Sequence, residues 1–221
     1  MMLNVRAAGI ILTSIALAAT VLTGCSAEKP ADAAAPSTAP AAVSDVTLDE
    51  YLQHHGVTAQ AQTIEDSDVV RVTVQQPPGW LASDGYQIPN TYVVLTNRRA
   101  VDQGFAPNAL VIVHKLSGAF DSREAIRRGF VDTQRYKNFK QTRASLDDSH
   151  GLPSSVIEGS YTNEKDLSLH VLNRYLIASA KDVNYIVFLS VTTTEAQAAK
   201  LADDVRTLDQ NLAVTLHYGE K

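Results

Sequence analysis

The 221-residue sequence holds one cysteine, Cys25, and one tryptophan, Trp80. A single thiol excludes an intramolecular disulfide and a cysteine-rich metal site, so the folded part must be stabilised by core burial. Catalytic signatures are also missing: there is no H-E-x-x-H helix, no G-x-S-x-G elbow and no glycine-rich phosphate loop. Positive charge is scarce. Arg6 is the only charged residue among the first 25, which leaves 18 Lys and Arg against 24 Asp and Glu, a net charge of −6. Nucleic-acid binders carry a basic patch or a high pI. Arg98-Arg99 and Arg127-Arg128 are too short for that and read as solvated faces. No nucleic acid, cofactor or metal is expected.

What the chain does have begins at its start. Residues 1–24 show a short head with Arg6, an apolar run from Ala7 to about Leu22, and the small pair Thr23-Gly24. That order is a secretory signal. A membrane-spanning helix needs roughly 20 apolar residues, and Thr13, Ser14, Thr20 and Thr23 dilute a stretch that barely reaches that length. Leu22-Thr23-Gly24-Cys25 resembles the lipobox of bacterial lipoproteins, in which the cysteine sulfur takes a diacylglyceryl group and the signal is cut just before it. The resemblance implies that Cys25 is the lipid attachment site and that the chain sits on the extracytoplasmic face of the cell membrane. Two or more acyl chains hold a protein there stably, whereas one does not.

Residues 25–45 then read as a lipidated cysteine and a tether of alanine, proline and serine without aromatics or apolar period. Such a segment cannot bury enough surface to offset its ordering entropy. The remaining stretch, 46–221, is long enough for one globular domain with a real core.

Within it, Thr47-Leu48-Asp49-Glu50 is a capping box that opens a short helix ending at Gly56. Residues 69–74, 91–96 and 110–116 predict strands, and Asp121 or Ser122 caps a helix to about Thr133 with Ala125, Ile126, Gly129 and Phe130 inward. Four strand segments follow, roughly 140–147, 154–162, 168–178 and 184–192. The last two are apolar on both alternating sets, so both faces should be covered, and helices are the expected cover. One of these starts at a second capping box, Thr194-Glu195-Ala196-Gln197, and carries Ala198, Leu201, Val205, Leu208 and Leu212 at helical spacing. The expected fold class is α+β, a mainly antiparallel sheet sandwiched by helices.

Candidate site residues are few. His54 and His55 are helix neighbours and do not face the same way. His150 stands near Asp147 and Asp148 in a stretch that reads more simply as a polar turn than as a metal site, and His114, His170 and His217 have no partner visible in sequence. Ser154 and Ser155 in "GLPSSVIEGS" read as the start of a strand, and Asp203-Asp204 as an adjacent acidic pair on the exposed side of a helix. No catalytic residue emerges, and the chain is expected not to be an enzyme. Trp80 follows the turn Pro77-Pro78-Gly79; it either covers the sheet edge or lines a groove for an apolar or carbohydrate ligand.

Several segments together, "TLDEYLQHHGV", "VTVQQPPGW", "SGAFDSREAIRRGFVD", "GLPSSVIEGSY" and "LHVLNRYLI", resemble the mycobacterial LpqN/LpqT lipoprotein family, with the closer match to the LpqT branch. The resemblance spans roughly 46–212 in collinear order. It implies an α/β/α sandwich similar to the Mog1/PsbP-like fold and a place in a mycobacterial cell envelope. Some members are linked to envelope glycolipid transport, as accessory partners of membrane lipid exporters, and some to contact with host proteins. The implied role is a non-catalytic binding or accessory protein. A surface protein meeting host molecules is the alternative, and an envelope hydrolase a more distant one.

Overall fold

The computed structural model describes residues 45–65, 68–83, 88–180 and 183–217. The segments expected to be leader and tether, residues 1–44 with Cys25 among them, lie outside the described residues. The chain runs through α1 (Leu48–His54), β1 (Thr58–Gln62), β2 (Val70–Thr73), β3 (Leu81–Ala82) and β4 (Val93–Thr96). It continues with β5 (Asn108–Ser117), α2 (Ser122–Gln134), β6 (Lys140–Ser145) and β7 (Ser154–Thr162). The last elements are β8 (Ser168–Ala180), β9 (Val183–Thr194), α3 (Ala202–Gln210) and β10 (Ala213–Leu216).

Strands apolar on both faces take the middle of the sheet. β8 and β9 pair along nearly their whole length, and the order is β3-β4-β5-β9-β8-β7-β6, with β1 added beside the end of β5. Every pairing is antiparallel. Register sorts the side chains into two cores. On one face Val111 stands opposite Leu189, and Val187 opposite Leu176, all essentially inaccessible. On the other, Phe188 stands opposite Tyr175 and Ile186 opposite Ile177. Each fully buried Val, Leu or Ile contributes about 1.5–3 kcal/mol, which lets the described part do without a disulfide.

The covers differ from face to face. α1 and α2 pack over Tyr175, Ile177 and Ile186. Thr47 caps α1 with the predicted box, its hydroxyl accepting from Glu50 N while the Glu50 carboxylate accepts from Thr47 N. Asp121 caps α2 through Arg123 N and Glu124 N. Phe130 is half-buried, and Val131 and Thr133 take the inward places instead. The opposite face is not covered by a helix alone. α3 shares it with a two-stranded ribbon, β2 with β10, and with Trp80.

The second predicted capping box does not form. Thr194 still belongs to β9, and its hydroxyl donates to Asp102 Oδ2 at 2.7 Å instead of capping a helix. A single 3₁₀ turn, Glu195–Gln197, follows, and α3 starts only at Ala202. The apolar positions Leu201, Val205, Leu208 and Leu212 are buried all the same. Edge strand β6 is exposed at almost every position and irregular between Gln141 and Arg143, which blunts further strand pairing. Among the described residues, no helix is long and apolar enough to cross a membrane.

Candidate functional site

The helical face does not close completely over the sheet. A cavity of about 230 Å³ remains between α1, α2 and strands β1, β5, β8 and β9. Leu48 and Leu52, one helical turn apart, form its roof, and Leu116, Ile186, Tyr175 and Phe188 its floor and walls. The Tyr175 and Phe188 rings stack with centroids 4.6 Å apart. Gly129 on α2 lets the Tyr175 ring lie against the helix, because a Cβ there would come closer to it than real Cβ atoms do.

Three titratable groups from three elements meet in this apolar setting: Asp132 of α2, His114 of β5 and Tyr175 of β8. The Asp132 carboxyl lies beside the Leu48 backbone N–H, which favours its ionised form, and beside the Tyr175 hydroxyl. Burial nevertheless pushes its pKa up to about 6. Burial also raises the Tyr175 hydroxyl far above its ordinary range, with the Asp132 charge adding to the effect, and lowers His114. His114 is therefore neutral at pH 7. Asp49 lines the mouth, and Arg135 beside it is turned toward Glu50, 3.6 Å away, and toward the Asp45 carbonyl. An apolar cavity with a few convergent polar groups of shifted pKa is the usual form of a small-ligand site. At about 230 Å³ it falls below the ~300–1,000 Å³ of sites that enclose a drug-sized molecule, so it suits a chain end or a single ring.

The other side of the sheet carries a charged network. The Arg174 guanidinium, nearly buried, holds both carboxylate oxygens of Asp209 and donates to Ser154 Oγ at 2.7 Å. Arg143 approaches Asp209 and Glu158, and His170 Nε2 lies 3.3 Å from Glu158 Oε1, which keeps that carboxyl below its usual range. Charges are matched here, and the network ties α3 to β7 and β8. Ser154 and Ser155 are buried in β7, and Ser154 faces a cation, not a base. On the same face of the sheet as the cavity, a wider, open groove of about 700 Å³ lies along β4, β5 and the β7–β8 turn, among Val94, Phe105, Leu110 and Leu167.

Trp80 is 1% exposed and packs within the core on the α3 side, its indole N–H donating to Asp204 Oδ2 at 2.9 Å. Its ring thus lies across the sheet from the cavity and faces neither opening. His150 takes a left-handed backbone conformation in a turn and donates to the Gln210 carbonyl at 2.9 Å, while Asp148 pairs with Arg123. Cys25 lies outside the described residues. Asp132 and Tyr175 were not singled out in the sequence. The available signal was an acidic residue at helical spacing on the otherwise apolar face of α2.

Comparison with known proteins gives concordant results. Residues 44–215 match the family model described as "Probable lipoprotein LpqN". The proline-rich 28 kDa antigen of Mycobacterium tuberculosis is 36% identical over 69% of this chain and 48% of its own length. A "Putative lipoprotein LpqT" of Mycobacterium leprae is 30% identical over 76% of each chain. The chain thus spans about half the length of the antigen, and identity to the antigen exceeds that to LpqT. Among solved structures, that of LpqN, described as involved in cell envelope biogenesis of M. tuberculosis, superposes with a TM-score of 0.69 at 15% identity, covering 76% of this chain and 97% of that one. At that identity the likeness concerns the fold.

Proposed function

Because the chain belongs to the LpqN lipoprotein family of mycobacterial envelope proteins, we propose that it is held on the extracytoplasmic face of the cell membrane through Cys25 and there binds the apolar part of an envelope ligand without catalysing a reaction. The observation that carries the binding role is the cavity under α1 and α2, apolar but for Asp49, Asp132, His114 and Tyr175. Leu22-Thr23-Gly24-Cys25 and the tether to residue 45 support the anchor. A larger glycolipid would insert only a chain end and leave its sugar in solvent, which is the form an accessory role in glycolipid transport would take.

The test is lipid extraction and mass spectrometry of the chain purified from its own envelope, alongside Ile186→Trp, which fills the cavity. Stoichiometric apolar ligand in the wild type and its loss in the folded variant supports the role. No ligand in the wild type, with protein crosslinks alone, contradicts it. Cys25→Ala tests the anchor separately: it should lose lipid labelling and leave the detergent phase.

A further inference from the structure

We infer that the cavity selects an apolar ligand whose polar end is a cation, an alkyl- or arylammonium group, and rejects one ending in a carboxylate or phosphate. This rests on the ligand-binding reading above and names the chemistry of the ligand's polar end.

The charged and titratable groups around the cavity decide the matter. From α1 come Asp49 and Glu50, from α2 Asp132, from its C-cap Arg135, from β5 His114 and from β8 Tyr175. Of the carboxylates, Asp49 and Asp132 line the cavity itself; Asp49 acts on Asp132 and His114, Asp132 acts on Tyr175, and Arg135, from outside the lining, acts on Asp132 in the opposite sense to Asp49 and Glu50. Among the described residues Arg135 is the single cation of the set, and it is turned toward Glu50 and the Asp45 carbonyl. His114 adds no positive charge near neutral pH, since burial lowers its pKa.

An entering carboxylate would therefore meet two carboxylates in a setting where apolar walls weaken screening. An ammonium would meet them as partners and donate to Asp132, whose ionised form it would favour. The stacked Tyr175 and Phe188 rings add π surface that attracts a cation. A neutral hydroxyl can donate to Asp132 but gains nothing from the excess negative charge. The expected order is amine, then alcohol, then carboxylate.

The experiment titrates the full chain, in lipid nanodiscs, with hexylamine, hexan-1-ol and hexanoate at pH 7.5, following leucine and isoleucine methyl resonances by NMR. These six-carbon probes suit the size of the cavity. Hexylamine is expected to shift the resonances of Leu52, Leu116 and Ile186 and to bind at least about tenfold more tightly than hexanoate. Asp132→Asn should remove most of that preference, weakening hexylamine binding clearly more than hexan-1-ol binding. The exposed Asp49→Asn change, which leaves the core untouched, should reduce the preference in the same direction. Hexanoate binding as tightly as the amine, or a preference unchanged in both variants, overturns the inference while leaving the cavity a ligand site. No shift at those methyls with any of the three overturns the ligand-site reading itself.

Discussion

Gly129 of α2 lies directly on the Tyr175 ring of β8, so closely that a Cβ would come within the 3.0 Å that real Cβ atoms do not breach. A helical glycine costs about 1 kcal/mol relative to alanine. The close approach offsets that cost, because it allows α2 to descend onto the sheet and present Asp132 to the Tyr175 hydroxyl. Gly129→Ala should therefore destabilise the fold by a net of about 1–2 kcal/mol, overpacking outweighing the helix gain. Urea denaturation checks this, and an unchanged or raised midpoint would show that the ring has room to move.

The pH dependence of Asp132 has a definite sign. Its folded pKa of about 6 stands above the ordinary value of 3.8, so the folded state binds more protons between those values. Stability from this group is fully present below pH 3.8 and is lost as pH rises through 6. The groups facing it are Asp49 and Glu50 of α1, Arg135 at the C-cap of α2, His114 and Tyr175. Other carboxyls, such as Glu158, which is held low by His170, act in the opposite sense but are common to wild type and Asp132→Asn. The stability of Asp132→Asn relative to wild type should accordingly grow between pH 4 and pH 6.5. A flat difference curve from chemical denaturation would contradict the shift.

Across the sheet, Asp209→Ala should cost about 3–5 kcal/mol, because it strands the nearly buried Arg174 guanidinium. The double change Arg174→Met with Asp209→Leu should cost clearly less than Asp209→Ala alone, since no uncompensated charge remains. Denaturation of the single and double variants gives the coupling. Equal losses would mean that Arg174 finds another partner.

Trp80 gives an internal control. Trp80→Ala should lower stability by about 3–5 kcal/mol, and Trp80→Phe by about 0.5–1.5 kcal/mol through the lost bond to Asp204. Its emission should be that of a buried indole and should not change when a ligand enters the cavity on the other face. A ligand-dependent shift in that emission would move the site to the wrong side of the sheet.

Local chemistry explains how much of this was legible beforehand. The box at Thr47 and Glu50, the cap at Asp121 and the doubly apolar strands 168–178 and 184–192 depend on neighbours in sequence, and each appears where it was expected. Thr194 shows the limit of such signals. The same capping pattern is present, but the sheet holds Thr194 in β9 and Asp102, distant in sequence, takes its hydroxyl. The cavity was illegible for a related reason. His114, Asp132 and Tyr175 come from three elements, and their meeting depends on sheet register and on the descent of α2 over Gly129. His114 could be seen in the sequence as an unpartnered histidine, but nothing nearby indicated its companions.

The central claim, that the cavity beneath α1 and α2 is where this lipoprotein-family chain takes an apolar ligand, is tested most directly by locating a bound probe. Intermolecular NOEs between hexylamine and methyl-labelled protein should connect the probe's methylenes to Leu52, Leu116 and Ile186. NOEs to Val94, Leu110 and Leu167 in the open groove instead, or none to either set under saturating probe, would contradict the account.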